Sequence, residues 1–109
     1  MKSMELQQII AMTKRLCEAP GTSGREDGAA AVAEELLAPL GTVTRNPLGS
    51  VLCCVNEGEP GAPHLMLEAH LDQIGMVVTR LEKGGFLRVA NVGGLDCRLL
   101  PASPVTVHG

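Results

Sequence analysis

His70 and Asp72 are the residues of this chain whose types and spacing could do chemistry. They close an apolar run, Leu65-Met66-Leu67, and are followed by Gln73-Ile74-Gly75. Read as a strand, the run sits in a sheet, and His70 and Asp72 project to the same side because side chains alternate faces along a strand. An imidazole there can bind a divalent ion, and the carboxylate two residues on can orient that imidazole or bind a second ion. Open α/β sheets gather ligands just beyond the carboxyl ends of their strands. A strand-end His hydrogen-bonded to a nearby Asp has the same spacing, and spacing alone does not separate the two. His64, at the start of the run whose far end carries His70, is not expected to join the same site.

Composition narrows the partners. The chain has 109 residues, the size of one domain. It has a single Phe, Phe86, and no Trp or Tyr, so its core must rest on Leu, Val, Ile, Met and Ala. With a single aromatic there is no stacking platform for single-stranded nucleic acid, and a net charge of −3 with no basic run gives no phosphate-binding surface. Nucleic acid is therefore excluded as an expected partner. The amino terminus lacks the apolar core of a signal peptide and no run is long enough to span a bilayer, so no membrane partner is expected either. The four cysteines, Cys17, Cys53, Cys54 and Cys97, form no CxxC pair. Cys53 and Cys54 would face opposite sides of a strand, which disfavours both a disulfide framework and a thiolate zinc site. They read as small apolar residues in a reducing, cytoplasmic setting.

The elements that must position His70 and Asp72 follow from periodicity. Leu6, Ile9, Ile10, Thr13, Leu16 and Cys17 form an apolar stripe that predicts a helix from about Ser3 to Glu18, with Ser3 as N-cap and Pro20-Gly21 as its stop. Its polar face carries only Lys14 and Arg15 near the end, which favours a helix packed on its own domain over a membrane-surface helix. Ser23 and Glu26 have capping-box spacing, so a second helix is expected to begin there. It would use Ala29, Val32, Ala33, Leu36, Leu37 and Leu40, with Gly41 as C-cap. The intervening Gly-rich turn lacks the Lys-Ser/Thr of a phosphate-binding loop and reads as structural. Thr42 to Arg45 predicts a short strand, Asn46-Pro47-Leu48-Gly49 a turn, and Ser50 to Val55 a second strand. Its continuous apolar run suits burial on both faces. Met76 to Leu81 and Phe86 to Val89, joined by Glu82-Lys83-Gly84-Gly85, predict a hairpin. Val105 to Val107 predicts one more strand. Helices at the front and strands at the back suggest two structural regimes, in an α/β chain with a small mixed sheet containing Ser50 to Val55 and Leu65 to Ala69.

Four segments, in order, resemble the glutamyl/leucyl and deblocking metallo-aminopeptidases, a family whose members can form tetrahedral cytosolic particles. Ala19-Pro20-Gly21-Thr22-Ser23-Gly24-Arg25-Glu26 is similar to its Ala-Pro-Gly-x-Ser-Gly-x-Glu turn. Asn46-Pro47-Leu48-Gly49-Ser50 resembles Asp-x-Leu-Gly-Asn. Ala69-His70-Leu71-Asp72-Gln73-Ile74-Gly75 resembles the Ala-His-x-Asp-Glu-Ile-Gly metal motif. Gly93-Gly94-Leu95-Asp96, with Val105 to Gly109, looks like the stretch entering an inserted β-domain. Gln73 and Asn46 depart from the pattern, standing where many members have Glu and Asp; neither position is a metal ligand in it.

The resemblance implies the first part of an α/β/α metallopeptidase catalytic domain over residues 1–74, followed over 75–109 by the start of an inserted β-rich dimerisation domain. It implies His70 as a metal ligand and Asp72 as the catalytic residue that fixes the imidazole. It implies two divalent ions (zinc, cobalt or manganese) in the full enzyme, a peptide substrate losing its first residue, and a homo-oligomer. The bridging Asp, the general-base Glu and the remaining ligands of that pattern are missing: after Asp72 the only acidic residues are Glu82 and Asp96, and the only His is His108. Since the sequence stops inside a predicted element, it is expected to be an amino-terminal fragment, inactive alone. A related deacylase or carboxypeptidase, or a non-enzymatic dimerisation module, are the other readings.

Overall fold

A computed structural model describes residues 5–109; the expected N-cap at Ser3 lies outside them. Helix α1 spans Leu6–Glu18, and the Gln8 side chain accepts the Glu5 N–H at its start. It ends where Pro20 forces the preceding Ala19 into an extended conformation. Helix α2 spans Asp27–Leu37, with Asp27 in its first turn. It starts later than the Ser23–Glu26 capping box predicts. Glu26 stands at the N-cap, its side chain accepts from the Gly24 N–H, and the Ser23 hydroxyl is used elsewhere. It also stops before Leu40 and Gly41, with Ala38 at the C-cap. Arg15 on α1 pairs with Glu35 on α2 and joins the two helices.

Strands β1 (Thr42–Arg45) and β2 (Val51–Cys54) form an antiparallel pair, with Thr42 opposite Cys54 and Arg45 opposite Val51. The turn between them is organised by Asn46, whose Oδ1 accepts from the Leu48 and Ser50 N–H groups, while Gly49 takes a φ of +91°. An Asp oxygen would accept equally well here. Arg45 ties the pair to α2 through Glu34 (2.8 Å) and Asp27 (3.0 Å). Only one face of β2 meets α2, so Val51 and Cys53 are half-buried and Leu52 and Cys54 exposed, not buried on both faces as the apolar run suggests. All four cysteines are free.

The expected mixed sheet does not form. Leu65 to Ala69 is not a strand, and the two sheets are separate antiparallel pairs. A strand needs a ladder partner for its N–H and C=O groups. Residues 63–72 meet no ladder among the described residues, which leaves Leu65 and Leu67 each 87% exposed. The hairpin does form, as β3 (Gly75–Leu81) and β4 (Leu87–Val92), longer at its far end than the sequence suggests. Among the described residues it packs on no other helix or strand. Val105 to Val107 stays outside any sheet, for the same lack of a partner. A 3₁₀ turn, Cys97–Leu99, is capped by Asp96, which accepts the Arg98 N–H. No described helix is long and apolar enough to cross a membrane.

The result is a small mixed α/β structure whose buried residues cluster at one point. Ala29 and Ala30, at the start of α2, are each 1% exposed. They lie under the turn that leaves α1, where the Ala29 N–H donates to the Pro20 carbonyl (2.9 Å).

Candidate functional site

The segment carrying His70 and Asp72 is fixed to the helices at one place. The Gln73 N–H donates to the Gly21 carbonyl (2.7 Å), and the Ser23 N–H donates to the Gln73 carbonyl (3.2 Å). This parallel bridge between Thr22 and Gln73 brings residues 70–73 against the turn between α1 and α2. The Gln73 amide nitrogen adds hydrogen bonds to the Leu16 and Ala19 carbonyls, each 3.3 Å, at the open carboxyl end of α1. His70 and Asp72 thus sit together, not at a strand end, but on an extended segment pinned immediately after them.

Their geometry is specific. His70 Nδ1 lies 3.2 Å from Asp72 Oδ1 and 3.1 Å from the Asp72 carbonyl oxygen. Both partners can only accept, so Nδ1 carries the proton and Nε2 presents its lone pair. The other Asp72 oxygen, Oδ2, accepts a 2.5 Å hydrogen bond from the Ser23 hydroxyl. That hydrogen bond is the main reason the Asp72 carboxyl is held below its ordinary range; partial desolvation opposes it and the contact with His70 reinforces it. The Asp72 side chain is 44% exposed and His70 86%. Beside them runs an open groove of about 600 Å³, lined by Met12, Leu36, Leu48, Leu67, His70 and Asp72 among others.

A neutral imidazole with its Nδ1–H on a carboxylate and its Nε2 free is the arrangement in which histidines bind metal ions. These residues fit one corner of a metal site. They do not make a whole one: among the described residues no group of three or more His, Cys, Asp or Glu could hold an ion. Glu26 borders the groove but is engaged with the Gly24 N–H. The later acids are matched to arginines, Glu82 to Arg80 and Arg88 and Asp96 to Arg98, which hold the Asp96 carboxyl low.

Ser23 and Gln73 are the members of this arrangement that sequence reasoning assigned to other roles or to none. Ser23 precedes Asp72 by 49 positions. Its local signal, Ser-x-x-Glu before an apolar stripe, points to a helix cap. Nothing in the spacing points across the fold.

The sequence model for M42 glutamyl aminopeptidase matches residues 49–109, a span that contains His70 and Asp72 but not Ser23. Lysyl aminopeptidase of Pyrococcus furiosus is 33% identical over 86 residues, which cover 77% of this chain and 24% of that protein. SgcX of Escherichia coli (strain K12), for which aminopeptidase is the proposed activity, is 39% identical over 67 residues, 62% of this chain and 18% of its own length. FrvX of the same strain, with the same proposed activity, is 33% identical over 86 residues, 78% of this chain and 23% of its own. The chain therefore spans a quarter or less of the length of these relatives. With more than half of its residues matched by one family, this chain belongs to the M42 glutamyl aminopeptidases.

Proposed function

We propose that this chain carries the amino-terminal corner of a co-catalytic, metal-dependent aminopeptidase site. The observation that carries the reading is the His70–Asp72 pair, with Nδ1 engaged and Nε2 free, inside the span matched by the family. In this reading His70 Nε2 holds one of two divalent ions (zinc, cobalt or manganese), and Asp72 acts on the site by keeping the proton on Nδ1. Bound ions of this kind polarise a peptide carbonyl and acidify a water. The bridging carboxylate, the general base and the other ligands come from outside these 109 residues; the short span relative to the family's members supports this. Residues 1–74 then belong to the catalytic domain and 75–109 open a β-rich dimerisation insertion, in a cytoplasmic homo-oligomer acting on peptides.

The test offers cobalt, zinc or manganese with aminoacyl-p-nitroanilides to the purified chain and to His70→Ala. One weakly bound ion in the parent, lost in the variant, with no turnover in either, is the expected result. Equal binding in both removes His70 as a ligand. Turnover in the parent that vanishes in the variant overturns the incomplete-site reading.

A further inference from the structure

We infer that Ser23 is a positioning residue for this site: from the turn between α1 and α2, its hydroxyl anchors the Asp72 carboxylate and thereby fixes the tautomer and direction of His70. The inference rests on the reading of His70 as a metal ligand and adds a group outside the His-x-Asp motif.

His70 needs such an anchor. Its side chain is 86% exposed, and its recorded hydrogen bonds all go to Asp72. An exposed His–Asp contact does little by itself against the entropy of the two side chains, so an unsupported pair would sample many geometries. Asp72 meets the ring through its backbone carbonyl (3.1 Å) and its carboxylate (3.2 Å), and the carboxylate, which is free to rotate, adds to the ring's orientation only if it is held itself. Oδ1 faces the imidazole, and Oδ2 takes the Ser23 hydroxyl at 2.5 Å. With a partner on each oxygen, the carboxylate plane cannot turn without breaking one of the two bonds.

The Ser23 hydroxyl is also free to serve this purpose, because the turn is built without it. Backbone bonds hold it: Ser23 N–H to the Gln73 carbonyl, Gln73 N–H to the Gly21 carbonyl, Arg25 N–H to the Thr22 carbonyl and Ala29 N–H to the Pro20 carbonyl. Nor does the hydroxyl cap α2, whose N-cap is Glu26. The backbone therefore delivers the hydroxyl to Asp72 as a fixed point, which is the condition for an outer partner to tune a ligand.

The experiment uses the ¹⁵N-labelled, metal-free chain at about pH 8, where an ordinary imidazole is neutral. Long-range ¹H–¹⁵N correlation spectra report which ring nitrogen carries the proton, with the exposed His64 and His108 as references in the same sample. In the parent, His70 is expected to be mainly the Nδ1–H form. Ser23→Ala should move it toward the tautomer mixture of the references and weaken cobalt binding about tenfold. Ser23→Thr, which keeps the hydroxyl, should restore both. The amide peaks of Thr22 and Gln73 report whether the turn is intact. An unchanged tautomer in Ser23→Ala with an intact turn overturns the inference, as does a parent His70 that matches the references. If Ser23→Ala disturbs the turn, Ser23→Thr decides: a retained Nδ1–H form supports the inference, and a lost one overturns it. If the tautomer depends on Ser23 but the parent binds no cobalt, the metal reading fails while the anchor stands. If cobalt binds and is indifferent to Ser23, the reverse holds.

Discussion

Two side chains, Asp72 and Gln73, decide how the site responds to its surroundings. The Asp72 carboxyl is lowered chiefly by the Ser23 hydroxyl. A carboxylate whose folded value lies below its unfolded one binds fewer protons in the folded chain, so it contributes stability above about pH 3.9 and loses it as pH falls through the folded value. The link between residues 70–73 and the turn should therefore hold from neutral pH down to about 4 and loosen below that. Following the Asp72 side-chain carboxyl shift against pH checks this; Ser23→Ala should raise its midpoint, and an unmoved midpoint contradicts the assignment. Gln73 presents an amide to two carbonyl oxygens. Glu at this position would aim an acceptor at acceptors. Gln73→Glu should weaken the junction by about 1–3 kcal/mol, read as faster hydrogen exchange at the Ser23 and Gln73 amides.

At the scale of elements, two glycines are required by close approach. A Cβ on Gly28 would lie 2.7 Å from the Pro20 carbonyl oxygen, and one on Gly41 would lie 2.0 Å from that of Cys54. Both obstacles are backbone, which cannot swing aside as a side chain can. Gly28→Ala should pry the turn from α2, and Gly41→Ala should separate the chain entering β1 from the end of β2. Each is expected to cost about 1–3 kcal/mol, measured by chemical unfolding followed by circular dichroism. Gly94→Ala, where a Cβ meets nothing within 4 Å, is the control and should change stability by less than about 0.5 kcal/mol. The segment from Leu65 to Ala69 has the composition of a strand and lacks the neighbour that would make it one.

The whole molecule is extended. Its radius of gyration is 18.2 Å, with dimensions of 62 × 33 × 23 Å, against about 13 Å for a compact chain of this size. Leu48, Leu65, Met66, Leu67 and Leu81 are all exposed, an apolar surface that favours association. The purified chain should self-associate at high concentration and melt broadly; a monomer in sedimentation with a sharp, cooperative melt contradicts this. Because the β3–β4 hairpin packs on no other described helix or strand, and a two-stranded hairpin alone is only marginally stable, its amides should exchange faster than those at Ser23, Ala29 and Gln73.

Much of this was legible in the sequence where the cause is local. The stripes from Leu6 to Cys17 and from Ala29 to Leu37 specify helices because a 3.6-residue period acts within one segment. The turns at Asn46–Gly49 and Glu82–Gly85 are likewise set by their own residues, and His70 and Asp72 pair because only Leu71 separates them. Tertiary structure alone decided whether Leu65 to Ala69 and Val105 to Val107 became strands, since a ladder needs a second segment whose position composition does not record. It decided that β2 is covered on one face only. It also turned Ser23 from an apparent helix cap into the partner of Asp72, because the bridge between Thr22 and Gln73 joins backbones some fifty residues apart and brings a carboxylate within hydrogen-bond distance of the hydroxyl.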